Sequence, residues 1–147
     1  MKIILGLITA VAIIFVFYDL QHPEDPAKAL VSRQIAANVM SGLDPGPYRR
    51  SLRIDRVISR NLAFTLEYLE LPRGGLTTVE LDTKDVARTV LAQLVKAGRS
   101  PMQEGIIVFV YAQQTGLKGE TGAALVRPLG HTYYNYNSDT LIFEPPA

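Results

Sequence analysis

Residues 105–114 read GIIVFVYAQQ, and this stretch decides the fold because it is apolar on both faces of a strand. Ile107, Phe109 and Tyr111 alternate with Ile106, Val108 and Val110. A strand whose two faces are both apolar is typical of the middle of a sheet. We therefore predict that residues 105–114 form a central strand, with the other elements arranged around it.

Two amphipathic helices are predicted before this strand. Asp25 is a suitable cap for a first helix that has Pro26 at its first position, runs to about Ser41 and ends at Gly42. Its apolar stripe comprises Val31, Ile35, Val39 and Leu43, flanked by Leu30 and Met40. Asp82 or Thr83 is the predicted cap of a second helix that reaches about Ala97 before Gly98. The predicted core stripe of this second helix is Val86, Val90, Leu91, Leu94 and Val95.

Several strands complete the predicted domain. SLRIDRVIS (51–59) and LAFTLEYLEL (62–71) form a pair joined near Arg60 and Asn61, and LTTVEL (76–81) adds a short strand. In the second strand, Leu62, Phe64, Leu66 and Tyr68 share one face, which is the alternation of a half-buried antiparallel strand. Residues 115–130 are a glycine-rich loop followed by an extended or helical piece, and a hairpin closes the chain. The order α-β-β-(β)-α-β-β-β predicts an α+β fold, a two-layer sandwich with two helices on a mainly antiparallel sheet. The helix-strand-strand-helix-strand core resembles the topology of BON domains, small envelope modules; their glycine-valine signature is absent here, so the resemblance implies fold only.

The N-terminal segment has the character of a membrane anchor. Residues 3–18 carry no charge, and as a helix they span about 24 Å, which Lys2 and Tyr18 can extend toward the ~30 Å hydrocarbon core. We predict a single transmembrane anchor at 1–18, a proline-containing linker at 19–25 and an extracytoplasmic domain at 26–147. The alternatives are a signal peptide cleaved near Ala27-Lys28-Ala29 and a buried core helix. The predicted location is the inner membrane, with the domain on the periplasmic side.

Composition excludes several classes of function. The formal net charge is +1 and there is no cysteine, so no global field favours nucleic acid, and disulfides and thiolate chemistry are excluded. No catalytic motif is present, and we expect neither an enzyme nor a cofactor. The two histidines, His22 and His131, are too far apart in the sequence to indicate a metal site.

Two surfaces are candidates for contact with a partner. One is the arginine-rich strand with Arg49, Arg50, Arg53 and Arg56, which suits lipid headgroups or an acidic partner; the alternative is a charged edge that prevents strand pairing. The other is the final hairpin. A three-residue turn at 137–139 would place Tyr134 and Tyr136 on an exposed face and Tyr133 inside. The alternative, which we favour, is that ordinary cross-strand packing of the hairpin explains the same tyrosines.

These features predict a non-enzymatic interaction module, an accessory or assembly subunit of a bacterial envelope complex. Its expected partners are the lipid bilayer, through residues 3–18, and a protein partner or a second copy of itself. The alternative is an extracytoplasmic domain that binds a small anionic ligand, or acts as an inhibitor, through the arginine-rich strand.

Overall fold

The computed structural model describes residues 24–147, so the predicted anchor and all but the end of the predicted linker lie outside the described residues. The helices are α1 (Pro26–Gly42), α2 (Leu76–Lys96) and the short α3 (Pro101–Glu104). The strands are β1 (Arg50–Ile58), β2 (Asn61–Tyr68), β3 (Ile107–Lys118), β4 (Ala124–Asn135) and β5 (Thr140–Glu144). The domain is α+β, as predicted.

A five-stranded mixed sheet forms one layer, with strand order β1-β2-β3-β4-β5. Strands β2 and β3 are parallel, and the neighbouring pairs are antiparallel. The parallel pair requires a crossover, which α2 and α3 provide. The predicted central position of β3 is confirmed.

The core lies between the sheet and the two long helices. The face of β2 that was predicted to be buried is confirmed, because Leu62, Phe64, Leu66 and Tyr68 are all fully buried. Val108 and Val110 of β3 lie beside them in the same cluster. This helix-covered face supplies most of the apolar burial that stabilises the domain.

Helix α1 begins and ends as predicted. The Asp25 carboxylate accepts hydrogen bonds from the backbone N–H groups of Ala27 and Lys28, at 3.0 and 3.3 Å. These bonds satisfy donors that the first helical turn leaves free. Leu30 and Met40 were predicted to flank the buried stripe, but they are exposed.

Helix α2 begins earlier than predicted, and the short strand at 76–81 is wrong. Gly75 precedes the helix with φ +61, and Val79 is fully buried on the first turns. The β-branched residues of 76–81 favour a strand locally, but burial of Val79 decides in favour of the helix. Thr83 is therefore not a cap: its hydroxyl donates to the Val79 carbonyl and meets the Thr132 hydroxyl at 2.7 Å.

The C-terminal half of α2 shows one further difference. Its end at Lys96 before Gly98 agrees with the prediction, and Val86, Val90 and Leu94 are buried. Val95 was predicted to belong to the core stripe, but it is 61% exposed. The buried stripe starts about two turns earlier, at Val79, and Val95 points away from it.

Residues 115–130 were predicted to be a loop followed by an extended or helical piece; the extended alternative is correct for the second part, and most of the expected loop is strand as well. Strand β3 continues to Lys118, β4 begins at Ala124, and Leu117 pairs with Leu125. A turn closed by a bond from Gly119 N–H to the Ala123 carbonyl, 2.8 Å long, joins them. Gly119 and Gly122 therefore belong to the tip of a long hairpin, where turn geometry favours glycine.

The last hairpin has a different register from the predicted one. Asn135 pairs with Thr140 and Tyr133 pairs with Ile142, so the turn has four residues, 136–139. A change of one residue in register exchanges the two faces of a strand. Tyr134 consequently lies on the helix-covered face and Tyr133 on the opposite one, the reverse of the prediction.

Candidate functional site: the open face of the sheet

The side of the sheet opposite α1 and α2 carries a cluster of four aromatic rings. We call this side the open face and define its centre by Phe109 and Tyr111 of β3 and His131 and Tyr133 of β4. The ring centroids of Phe109 and Tyr133 are 5.7 Å apart, and those of Tyr111 and His131 are 5.5 Å apart. The rings form a continuous aromatic surface because neighbouring strands bring them into register.

No element of residues 24–147 covers these rings. Tyr111 is 44% exposed, and the other three rings are half-buried. Ile107 and Ile142 border the cluster on the same face and are also half-buried. A contiguous aromatic surface that is exposed to solvent is a common feature of interaction sites.

The register of the strands arranges the open face in rows that run across the sheet. We define row 1 as Arg53, Thr65, Tyr111, His131 and Glu144, taken from β1 to β5. Row 2, its neighbour, comprises Arg56, Ala63, Phe109, Tyr133 and Ile142. Row 1 therefore has a cation at one end and a carboxylate at the other.

Ion pairs surround the aromatic centre on the β1–β2 side. The Arg53 guanidinium lies 2.9 Å from an Asp55 carboxylate oxygen and 2.6 Å from a Glu67 oxygen. Thr65 donates a hydrogen bond to Asp55, and Gln113 donates one of 3.0 Å to Glu67. These contacts leave the polar border of the open face close to electrical balance.

Two further interactions act on the rings themselves. The imidazole Nε2 of His131 lies 3.1 Å from a Glu144 carboxylate oxygen. Partial burial, and then the negative charge of Asp55, raise the pKa of Tyr111. The Tyr111 hydroxyl therefore stays neutral and available as a hydrogen-bond donor at physiological pH.

A cavity of about 450 Å³ adjoins the aromatic cluster. Tyr111 and His131 form part of its wall, with Pro128 beside them and Pro145 and Pro146 after β5. The wall combines ring faces and prolines, so the cavity extends the apolar surface rather than forming a separate polar site.

The structure divides the arginine-rich strand between two faces. Arg50 lies on the helix-covered side, where its guanidinium is 3.3 Å from Asp82 and donates to the Asp44 carbonyl at 2.7 Å. Arg53 lies on the open face because side chains of a strand alternate, and the bulge between Ile54 and Arg56 brings Arg56 to the same face. Arg49 precedes β1 in the left-handed region with φ 50 and is exposed.

The surroundings of Arg50 differ from those of an anion site. A cavity of about 380 Å³ at this point is lined by Asp44, Asp82 and Asp85 as well as by Arg50. The Tyr68 hydroxyl also donates to Asp82, at 2.7 Å. With three carboxylates around one guanidinium, this cavity repels a small anion.

The two tyrosines predicted to form an exposed patch are separated. Tyr134 is 5% exposed, and its hydroxyl donates to the Asp139 carboxylate at 2.6 Å. Burial, and then this bond, raise the pKa of Tyr134 to about 12. Tyr136 is 36% exposed and lies against Gly105. The expectation of an exposed Tyr134 is wrong, and the register of the last hairpin is the reason.

The sequence did not identify the residues of the aromatic cluster, although it indicated that the second face of the sheet is too apolar to face water alone. One signal was present, because residues 107–111 alternate with large apolar side chains on both faces while only two long helices were predicted. Two helices cover one face of a sheet, so the second apolar face had to remain open or meet a partner.

A buried polar cluster centred on Arg99, on the helix-covered side of the sheet, links three separate parts of the chain. The Arg99 guanidinium makes two 3.1 Å bonds to the Glu104 carboxylate and one of 2.8 Å to the Ser59 carbonyl. Arg99 also contacts Ser32 of α1 at 3.3 Å. The cluster joins α1, the β1–β2 turn and the segment before β3, and we assign it a structural role.

The described residues thus form an α+β domain whose sheet has one face covered by helices and one open aromatic face. No protein-family model matches the chain, and comparisons with curated proteins and with solved structures give no match either. Within residues 24–147, no group of three histidine or acidic side chains is placed to hold a metal ion. In the same part of the chain, no helix has the length and apolar character needed to cross a membrane.

Proposed function

We propose that the protein is a membrane-anchored, non-enzymatic interaction module, an accessory or assembly subunit of a complex at the bacterial inner membrane. The open face is its docking surface, and residues 3–18 are its anchor in the lipid bilayer. One observation carries the proposal: Phe109, Tyr111, His131 and Tyr133 form a contiguous, uncovered aromatic surface on the sheet.

The composition of the open face supports docking to a protein. Aromatic side chains at the centre and ion-paired polar side chains at the border match the usual anatomy of protein interfaces. Tyrosine is enriched among the residues that dominate binding energy, because it combines a large apolar ring with a hydroxyl donor. Tyr111 and Tyr133 have both features.

The predicted anchor would keep this surface close to the bilayer. A linker of seven residues, 19–25, reaches at most about 25 Å when fully extended. A domain held at that distance meets partners in or next to the membrane. A tethered docking domain of this kind needs no catalytic group to act.

Photo-crosslinking in native membranes tests the proposal. The full chain carries p-benzoylphenylalanine in place of Tyr133, and a matched control carries it in place of Arg88, whose side chain is 57% exposed on α2. We expect a specific protein adduct from position 133 and none from position 88. Equal adducts from both positions, or none from either, would contradict a docking role for the open face.

Fractionation tests the anchor separately. The full chain should stay with the membrane after an alkaline carbonate wash, and deletion of residues 3–18 should release it. Recovery of a mature protein that begins near residue 30 in the soluble fraction would refute the anchor.

A further inference from the structure

We propose that a second copy of this chain covers the open face, so that two sheets pack face to face about a twofold axis that runs along β3. The inference rests on the proposed function, because it names the partner of the same docking surface. Two-sheet packing of this kind places the sheets about 10 Å apart and buries both inner faces.

The strand order lets the open face overlie itself symmetrically. Strand β3 is the middle of five strands, so rotation about an axis along it places β1 over β5 and β2 over β4 of the second copy. Positions along the strands are preserved, and each row therefore lies over the same row in reverse order. This is the geometry of an isologous interface.

Row 1 gains charge complementarity from this rotation. Arg53 at one end lies over Glu144 of the second copy, and the same contact occurs twice. Because Asp55 and Glu67 already pair with Arg53, this contact contributes modestly to affinity and mainly fixes the register of the two sheets. The side chains of Arg53 and Glu144 are 55% and 54% exposed, so both can reach across. Tyr111, in the middle of the row, meets its own counterpart near the axis.

Row 2 gains complementarity of shape. Ala63, the smallest side chain of the row, lies over the ring of Tyr133 of the second copy, and Phe109 meets its own counterpart. A small residue opposite a large one lets facing sheets interlock, and aromatic pairs stabilise the contact beyond the area they bury.

The charges of the open face do not favour a strongly charged partner. Asp55 and Glu67 both contact Arg53, and Glu144 contacts His131. A nucleic acid or an anionic lipid surface would require an excess of positive charge near the rings. An electrically balanced aromatic surface is better matched by another copy of itself.

The area of the face agrees with a modest but specific dimer. Five strands at ~4.8 Å spacing and about six residues at ~3.3 Å give a projected patch of roughly 480 Å². Protruding rings raise the accessible area above this projection, toward the ~600 Å² per partner that smaller specific interfaces bury.

The edges of the sheet are less suited to self-association than its face. The edge strand β1 carries Arg53, Asp55 and Arg56 and a bulge between Ile54 and Arg56. The other edge, β5, is short and is followed by two prolines. Charges, bulges and prolines at edges oppose strand addition.

The substitution Tyr111→Lys tests the axis. In a single copy, position 111 is 44% exposed and the new ammonium lies near the negative charge of Asp55, so we expect the fold to be retained. In the dimer, two ammonium groups meet at the axis, and we expect self-association to weaken at least about 30-fold. The control Val95→Lys adds the same charge at a 61% exposed position on α2. It should change the affinity of self-association less than about threefold.

Both variants are measured by sedimentation of the full chain in mild detergent over a range of concentrations, with circular dichroism as the check on folding.

A second pair of variants tests the contact between Arg53 and Glu144 and does not depend on Tyr111. Glu144→Arg alone should weaken the dimer roughly three- to tenfold, and combination with Arg53→Glu should restore it.

The absence of cysteine permits an unambiguous crosslinking test. In the full chain with Tyr111→Cys, a short bismaleimide spans the ~10 Å between packed sheets, so a homodimer should form. With Ile142→Cys, the two substituted positions lie on opposite edges of the dimer, about 22 Å apart when the sheet separation is included, and the crosslinked homodimer should be absent.

The outcomes separate this inference from the proposed function. A chain that is monomeric at every concentration, or a dimer that Tyr111→Lys leaves intact, overturns the second copy as partner. Crosslinks from position 111 to a different protein alone also overturn it, while the docking role of the open face stands. Absence of any adduct at positions 111 and 133 overturns both.

Discussion

Replacing Arg99 by methionine should cost about 3 kcal/mol of unfolding free energy. The Arg99 side chain is 5% exposed, and its guanidinium binds the Glu104 carboxylate and the Ser59 carbonyl. Methionine fills much of the volume but donates no hydrogen bond, so these acceptors lose a buried partner. Removal of one member of a buried ion pair costs about 3–5 kcal/mol.

Remaining contacts place the expected loss at the lower end of that range. Glu104 keeps the Lys28 ammonium at 2.7 Å and the Ser100 N–H at 2.9 Å. The Ser59 carbonyl keeps the Ser32 hydroxyl at 3.1 Å. Neither acceptor is left without any donor.

Urea unfolding of the full chain in detergent, followed by circular dichroism and tyrosine fluorescence, measures the loss. The matched control is Arg88→Met, since Arg88 and Asp85 form a pair whose side chains are 57% and 71% exposed. The control should lose less than about 1 kcal/mol. An Arg99→Met variant that loses no more than this control would refute the structural role of the cluster.

Two further predictions concern pH and backbone conformation. Burial alone would raise the pKa of Glu104, but hydrogen bonds from Arg99, Lys28 and Ser100 outweigh it and lower the pKa to about 2. The stabilisation from this carboxylate is therefore complete above the ordinary carboxyl pKa near 4.5 and should be lost as the pH falls toward 2. Acid titration of the unfolding free energy should show this decline in the unmodified protein and not in Glu104→Gln. Gly130 has φ +102, and an added Cβ would lie 2.6 Å from the Glu144 carbonyl oxygen, so Gly130→Ala should cost about 2–3 kcal/mol. Gly122 has φ +79 with open space around it, so Gly122→Ala should cost only about 1 kcal/mol; equal losses in thermal unfolding would contradict the close contact at Gly130.

Local signals in the sequence were sufficient for several elements. Asp25 and Pro26 begin α1, and Gly42 ends it, because caps act within a few residues of the chain. The alternation from Leu62 to Tyr68 identified the buried face of β2. The run at 105–114 identified the central strand.

The candidate site was less predictable because it depends on contacts between distant residues. The aromatic cluster forms only when β3 and β4 pair with Phe109 beside Tyr133 and Tyr111 beside His131. The predicted site residue Tyr134 is instead buried. The sequence pattern indicates that both faces of β3 are apolar, but it does not indicate which of the two faces the helices cover.

The sequence by itself thus determined the α+β class, the central strand and the ends of α1, since these follow from periodicity and capping within short segments. Tertiary structure alone decided the start of α2, where burial of Val79 outweighed local strand propensity. It also decided the register of the last hairpin and the division of Arg50 and Arg53 between faces. Each of these depends on the free energy of packing against residues remote in the chain, which no local pattern contains.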